Sequence, residues 1–205
     1  EFGHVLHNGI GKSKYTRFVG ANCEWDFVEA PSQIMEHWVW KVQCLTRISK
    51  HIETGESLSE QVCAKLNSSK NIGVSLLTLR QISFGLADQH LHGENFNDSL
   101  IEVEQTSQKV TTLTYPDDIN HLAAFGHWLG GYDAAYYGYL WAEIIGDDLF
   151  SKFENEGILS NQVGVEYKNK ILKPGGTVPA ENMVKNFLGR KWNDKAFLAQ
   201  KNLSK

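Results

Sequence analysis

The stretch Glu1–Gly11, EFGHVLHNGIG, decides how the rest of this 205-residue chain is read. Phe2, Val5 and Leu6 recur at helical spacing, and Asn8-Gly9 and Gly11 end the run. The pattern predicts a short helix from Glu1 to about Gly9. A histidine one position before Glu1 would complete H-E-x-x-H. In that motif two imidazoles at i and i+4 share a helix face and hold one zinc ion, while the glutamate serves as base. Glu1 is then the would-be base and His4 the second ligand. A catalytic zinc site takes three protein ligands, so the third has to come from another helix. Glu29, in DFVEAPSQ, is the natural candidate. The pair alone fits equally well a surface glutamate and a half-buried histidine on an ordinary amphipathic helix. His7 forms a rival i, i+3 pair with His4, but leaves Glu1 without a role. His37 and His51 read as structural or solvated, and His90 and His92 as marking the frayed end of a helix.

Working outward, the chain reads as mostly helical. KSKYTRFVGANCE (12–24) looks like loop or short extended structure. A second helix is expected from Trp25 through FVEAPSQIMEHWVW, or from Glu29 with Pro31 in its first turn. SLSEQVCAKLNSSK places Leu58, Val62 and Leu66 at helical spacing behind Ser57 or Ser59 as cap. NIGVSLLTLRQISFGLADQHLH reads as a longer, central helix, and NDSLIEVEQTSQKV as another, capped by Asp98 or Ser99. Residues 111–131 read as a long irregular connection, and such loops are often functional. Helix is expected again from about Asp133. Two or three short helices follow in SNQVGVEYKNKIL, PAENMVKNFLG and NDKAFLAQ, with KPGG separating the first from the second. The fold class is all-α, with at most minor β structure.

Composition narrows the function classes. Hydrophobic residues make up 41% and charged residues 21%, with a net charge of -4. These are ordinary values for a soluble protein, with nothing overall that points to nucleic acid or an anionic membrane. From Lys168 to Lys205 nine Lys/Arg face two acids, Glu181 and Asp194. They are scattered over several helices and read as a solvated face. Cys23, Cys44 and Cys63 are odd in number without C-x-x-C spacing, which favours free thiols in a reducing compartment. No run reaches the roughly 18 apolar residues of a membrane span, and no signal peptide is visible.

FGHWLGGYDAAYYGYLWAE (125–143) sets Tyr132, Tyr136 and Tyr139 at i, i+4 and i+7, one stripe of a helix. Each buried hydroxyl on such a stripe needs a partner. The spacing is satisfied by core aromatics whose hydroxyls reach water or backbone. Gly126, Gly130 and Gly131 fit a mobile loop that lets backbone approach a peptide, and equally plain turns.

EFGHVLH, WDFVEAPSQIMEHWVW, FGHWLGGYDAAYYGYLWAE and ILKPGG, in this order, closely resemble the C-terminal part of the thimet oligopeptidase and neurolysin family of zinc endopeptidases. The resemblance covers essentially the whole chain. It implies a largely helical, two-lobed, zincin-like oligopeptidase fold of which this chain is about the last third. Zinc-site helices would occupy 1–50, a helical body 51–110, the substrate loop and tyrosine helix 111–150, and C-terminal helices 151–205. The family motif reads H-E-F-G-H, so the resemblance implies one Zn2+ held by His4, Glu29 and a histidine just before Glu1. Glu1 would be the catalytic base. It further implies that His127, Tyr136 and Tyr139 face the metal and contact the peptide, with Tyr132, Gly130 and Gly131 sharing in substrate binding. Expected partners are short peptides and the missing N-terminal part of the same enzyme, without nucleic acid or membrane. The expected compartment is the cytoplasm, with mitochondria as the alternative. The 205-residue piece is expected to be inactive by itself. The competing reading is a non-enzymatic helical fragment or pseudo-peptidase acting as a binding module. Nucleic-acid binding through the lysine-rich tail is a remote third.

Overall fold

The computed structural model describes residues 1–94, 99–114, 116 and 119–203. Every regular element among them is helical. The all-α reading therefore stands. The chain forms two compact units, Glu1–Ile72 with Ala142–Lys205, and Gly73–Trp141.

In the first unit, α1 (Phe2–Ile10) packs on α2 (Ala30–Gln33). The approach is so close that a Cβ on Gly3 would lie 1.9 Å from the Pro31 carbonyl oxygen and 2.5 Å from the Ser32 Cα. Only glycine fits there. Phe27, Ala30 and Ile34, all fully buried, anchor the α2 region into the core. The long helix expected through Trp40 is instead broken into α2, α3 (Glu36–Val39) and α4 (Val42–Ile48). Between them the backbone tightens to i→i−3 bonds, Met35 N to Ser32 O, His37 N to Ile34 O, Trp40 N to His37 O and Lys41 N to Trp38 O. The neighbours His37 and Trp38 are both tied inward. His37 Nε2 is 2.7 Å from Asp147 Oδ1 and its ring stacks on Phe150. The Trp38 indole donates to Ile158 O at 2.8 Å.

α5 (Glu60–Ser69) begins at Ser59, whose hydroxyl accepts from Val62 N, as one of the two expected caps does. From Ala142 the unit also contains most of α9 (Gly138–Glu156), then α10 (Asn161–Tyr167), α11 (Ala180–Leu188) and α12 (Lys195–Gln200). α11 buries Ala180, Met183, Val184 and Phe187, an i, i+3, i+4, i+7 stripe, and ends at Gly189 in the left-handed region. Its first free N–H, Ala180 N, is satisfied from far away by Glu24 Oε1 at 3.0 Å. KPGG lies against loop 12–24: Lys12 N donates to Lys173 O, and Gly175, at φ +54, has Phe18 O 2.4 Å from where a Cβ would stand.

The second unit pairs α6 (Val74–Leu91) with α7 (Ser99–Thr111) around Phe84, Ala87, Val103, Trp128 and Tyr136. Asp98 and the Ser99 side chain, the expected caps of α7, lie outside the described residues, as do Tyr115, Asp117 and Asp118. The connection 111–131 is less irregular than expected. It holds α8 (His121–Ala124), capped by the Asn120 side chain on Ala123 N, and a 3-10 turn at Gly126–Leu129. Conversely, helix begins at Gly138 rather than near Asp133. Ala134 sits at φ +56, and the bonds Ala135 N to Tyr132 O and Gly138 N to Ala135 O are turns.

A helix interior favours alanine over glycine by about 1 kcal/mol, whereas overpacking a core costs about 1–3 kcal/mol. At Gly3 the obstacle is backbone that cannot rotate away, so the steric term should win. Gly3→Ala is expected to destabilise the fold by about 1–3 kcal/mol. Gly9→Ala, with nothing within 4 Å of its added Cβ, should be neutral or stabilising. Urea unfolding followed by tryptophan fluorescence measures both; a stabilised Gly3→Ala would contradict the packing.

Candidate functional site

Two groups of expected site residues are brought together, one in each unit. In the first, Glu1 is the exposed N-terminal flank of α1. One turn on, His4 Nε2 lies 3.0 Å from Glu29 Oε2, across 25 residues of sequence. Glu29 is 8% exposed and occupies the N-cap position of α2. Its carboxylate is held by Ser32, whose hydroxyl donates to Glu29 Oε2 at 2.8 Å and to its backbone oxygen at 2.9 Å. The close passage at Gly3 and the Ser32 hydroxyl are what place an imidazole nitrogen and a carboxylate oxygen at one point. Ser32 was not singled out from sequence, although a serine one turn after a buried acid is a usable signal.

His4 Nδ1 is buried and makes no hydrogen bond. His7, the alternative partner of His4, is fully buried with neither ring nitrogen hydrogen-bonded. Burial, then the neighbouring His4, lowers its pKa to about 4. Among the described residues no group of three His, Cys, Asp or Glu is gathered for a metal; His4 and Glu29 are a pair.

The second group is aromatic. The His127 ring centroid is 5.7 Å from Tyr132, 5.7 Å from Tyr136 and 5.8 Å from Tyr139. Tyr132 stacks on Tyr139 at 4.8 Å, and Tyr136 and Tyr139 are 5.1 Å apart. The rings converge although the backbone from Tyr132 to Tyr137 is a pair of turns rather than the expected helical stripe. His127 is exposed, Tyr132 and Tyr139 are half-buried, and Tyr136 is buried. The Tyr136 hydroxyl donates to Gln81 Oε1 at 3.0 Å. Burial, then Tyr139, pushes its pKa up to about 12, so it stays protonated at ordinary pH. Gly130 and Gly131 are exposed, and Gly131, at φ 104, adopts a conformation that suits glycine.

Sequence reading missed the residues that organise this loop, Gln81 and above all Asp88. Asp88 is fully buried on α6, beside Phe84 and Ala87 of the core. A carboxylate on the apolar face of a helix was the available signal. Elsewhere in the first unit an open cavity of about 490 Å³ is lined by Arg17, Phe18, Asn22, Cys23, Glu24, Gly176 and Pro179. It contains none of the expected site residues. Burial pushes the Cys23 thiol up to about 12, which makes it a poor nucleophile.

Comparison with known proteins adds the following. The model of Peptidase family M3 matches residues 1–203. The chain is 36% identical over 203 residues to the thimet-like oligopeptidase of Dictyostelium discoideum, covering 97% of this chain and 30% of that protein. It is 37% identical over 201 residues to oligopeptidase A of Escherichia coli, covering 93% and 29%. It is 36% identical over 207 residues to saccharolysin of Saccharomyces cerevisiae, covering 98% and 29%. The chain spans less than a third of the length of these relatives.

The buried His7 yields a pH prediction. Its folded-state pKa, about 4, lies below the ordinary 6.5. Between those values the unfolded chain binds the extra proton, so stability falls as pH drops from 6.5 to 4, by at most about 3 kcal/mol. His7→Leu should flatten that slope. Denaturation midpoints of both proteins at pH 7 and pH 4.5 measure it; an unchanged slope would reject His7 as the source.

Proposed function

Because the chain belongs to Peptidase family M3, we propose that it is the zinc-binding part of a longer metalloendopeptidase that hydrolyses short peptides. The observation that carries this reading is the convergence of His4 Nε2 and Glu29 Oε2 at 3.0 Å. An imidazole and a carboxylate are a donor set that zinc accepts. Glu29 is oriented by Ser32, an outer contact of the kind that holds metal ligands in place. The residues present therefore fit the metal as two of its three protein ligands. The third, on the family resemblance, is a histidine just before Glu1.

Bound zinc would acidify a coordinated water and polarise the scissile carbonyl. Glu1, beside the ligand helix, would accept the water proton and deliver it to the leaving amine. Tyr139 and His127 would donate to the developing oxyanion. Tyr136, whose hydroxyl is engaged with Gln81, would support them, and Tyr132, Gly130 and Gly131 would line the bound peptide. The rest of the longer chain would complete the substrate channel. All three cysteines are free, which suits the cytoplasm or another reducing compartment. No helix among the described residues is long and apolar enough to cross a membrane.

In the longer protein, Glu1→Gln is expected to abolish cleavage of a quenched-fluorescence peptide while zinc remains largely bound. Near-normal turnover would remove Glu1 from the base role. The 205-residue chain by itself, with a two-residue ligand set, should hold zinc far more weakly and cleave nothing. Stoichiometric, tightly held zinc in the purified chain, read by elemental analysis, would contradict this.

A further inference from the structure

We propose that Asp88 is the positioning residue of the aromatic loop: its carboxylate fixes the backbone from which Tyr136 and Tyr139 project. As a statement about the reaction this rests on the peptidase reading above. Asp88 is 0% exposed. Its Oδ1 accepts from Ala134 N at 3.1 Å and its Oδ2 from Tyr136 N at 2.9 Å. One carboxylate therefore takes two amides two residues apart, an arrangement that a continuing helix does not offer. It also meets His92, whose Nδ1 is 3.1 Å from Oδ1 and 2.8 Å from the Asp88 backbone oxygen. Neither lysine nor arginine is among these partners. The buried charge is met by backbone dipoles and one imidazole, which ties its burial to the shape of the loop.

The loop needs such a hold. Ala134 stands at φ +56, a region that non-glycine residues enter at a cost and keep only when their surroundings enforce it. α6 enforces it three times along its length. Asp88 takes the two amides, Gln89 Nε2 donates to Ala134 O at 2.8 Å, and Gln81 receives the Tyr136 hydroxyl at 3.0 Å. Gly85 on the same helix faces the Tyr137 backbone. Of these, only Asp88 holds both ends of the strained segment. Three residues beyond its second amide stands Tyr139, whose ring meets His127, Tyr132 and Tyr136. Release of the segment would displace the phenols without removing any group that touches a peptide.

The test uses Asp88→Asn and Asp88→Ala in the longer protein. Asparagine keeps one acceptor oxygen and loses the charge; alanine loses both. The expected order is a fall in kcat of about 10-fold for Asn and about 100-fold for Ala, the scale on which a displacement of about 1 Å acts, with KM changed less than about 3-fold. Amide hydrogen exchange at Ala134 and Tyr136 should accelerate in the same order, while exchange in α10 and α11 stays as in the parent. Parental kcat in folded Asp88→Ala, or losses in kcat that merely track faster exchange throughout α10 and α11, would overturn the proposal. If Asp88→Ala does not fold, Asp88→Asn decides by the same criteria. If the parent protein itself cleaves no peptide, the peptidase reading fails. Asp88 as holder of the loop is then judged by exchange alone, and unchanged protection at Ala134 and Tyr136 overturns it.

Discussion

The close passage of α1 over α2 at Gly3 is the constraint on which the first site depends. A helical E-x-x-H presents a histidine but supplies no third element; Glu29 has to arrive from 25 residues away. It does so because the Pro31 carbonyl occupies the space where any larger residue at position 3 would put its Cβ. Phe27 and Ile34, fully buried on either side of Glu29, fix the approaching segment by apolar packing. The loop between them is held in turn by Asn8, whose side chain accepts from Ala21 N at 3.1 Å, and by the KPGG turn. Motif residues far apart in sequence thus serve a single contact, the separation between two short helices.

Four acids are buried in the described structure, and each has a different solution for its charge. Asp148 faces Arg190 in a two-point pair at 2.6 and 2.7 Å and also accepts Asn193 N. Asp147 faces His37, Glu29 faces His4 and Ser32, and Asp88 faces backbone amides. Burying an ion costs several kcal/mol unless geometry repays it. Asp148 has a permanently charged partner in Arg190 and docks the segment after α11. Glu29 and Asp88 are the two that lie in the candidate groups of residues.

Much of the fold was legible because it follows from local pattern. The stripe Ala180, Met183, Val184 and Phe187 is helix from its spacing alone, and Ser59 and Gly189 mark boundaries by ordinary capping chemistry. The approach of Glu29 to His4 was expected from the motif blocks, and the two side chains meet at 3.0 Å. What stayed hidden was set by contacts across long separations. The segment after α2 meets Asp147, Phe150 and Ile158, more than 100 residues away, through His37 and Trp38. Glu24 caps a helix 156 residues on. Ala134-Ala135 carries the strongest helix propensity of any residue type, yet Ala134 turns left-handed because Asp88 and Gln89 bind its two peptide groups.

The tyrosines show how far spacing can mislead about roles. Tyr132, Tyr136 and Tyr139 stand at i, i+4 and i+7, which on a helix would make them equivalent members of one stripe. In turns they are not equivalent. Tyr136 points its hydroxyl at Gln81 and is buried to the point that its pKa rises to about 12. A phenol in that state has its proton donated internally, and turning it toward a substrate would break its bond to the half-buried Gln81. Tyr139 is half-buried, with its ring against those of His127, Tyr132 and Tyr136. The division of labour follows from solvation rather than sequence position. Tyr136 is the wall against which the other rings pack.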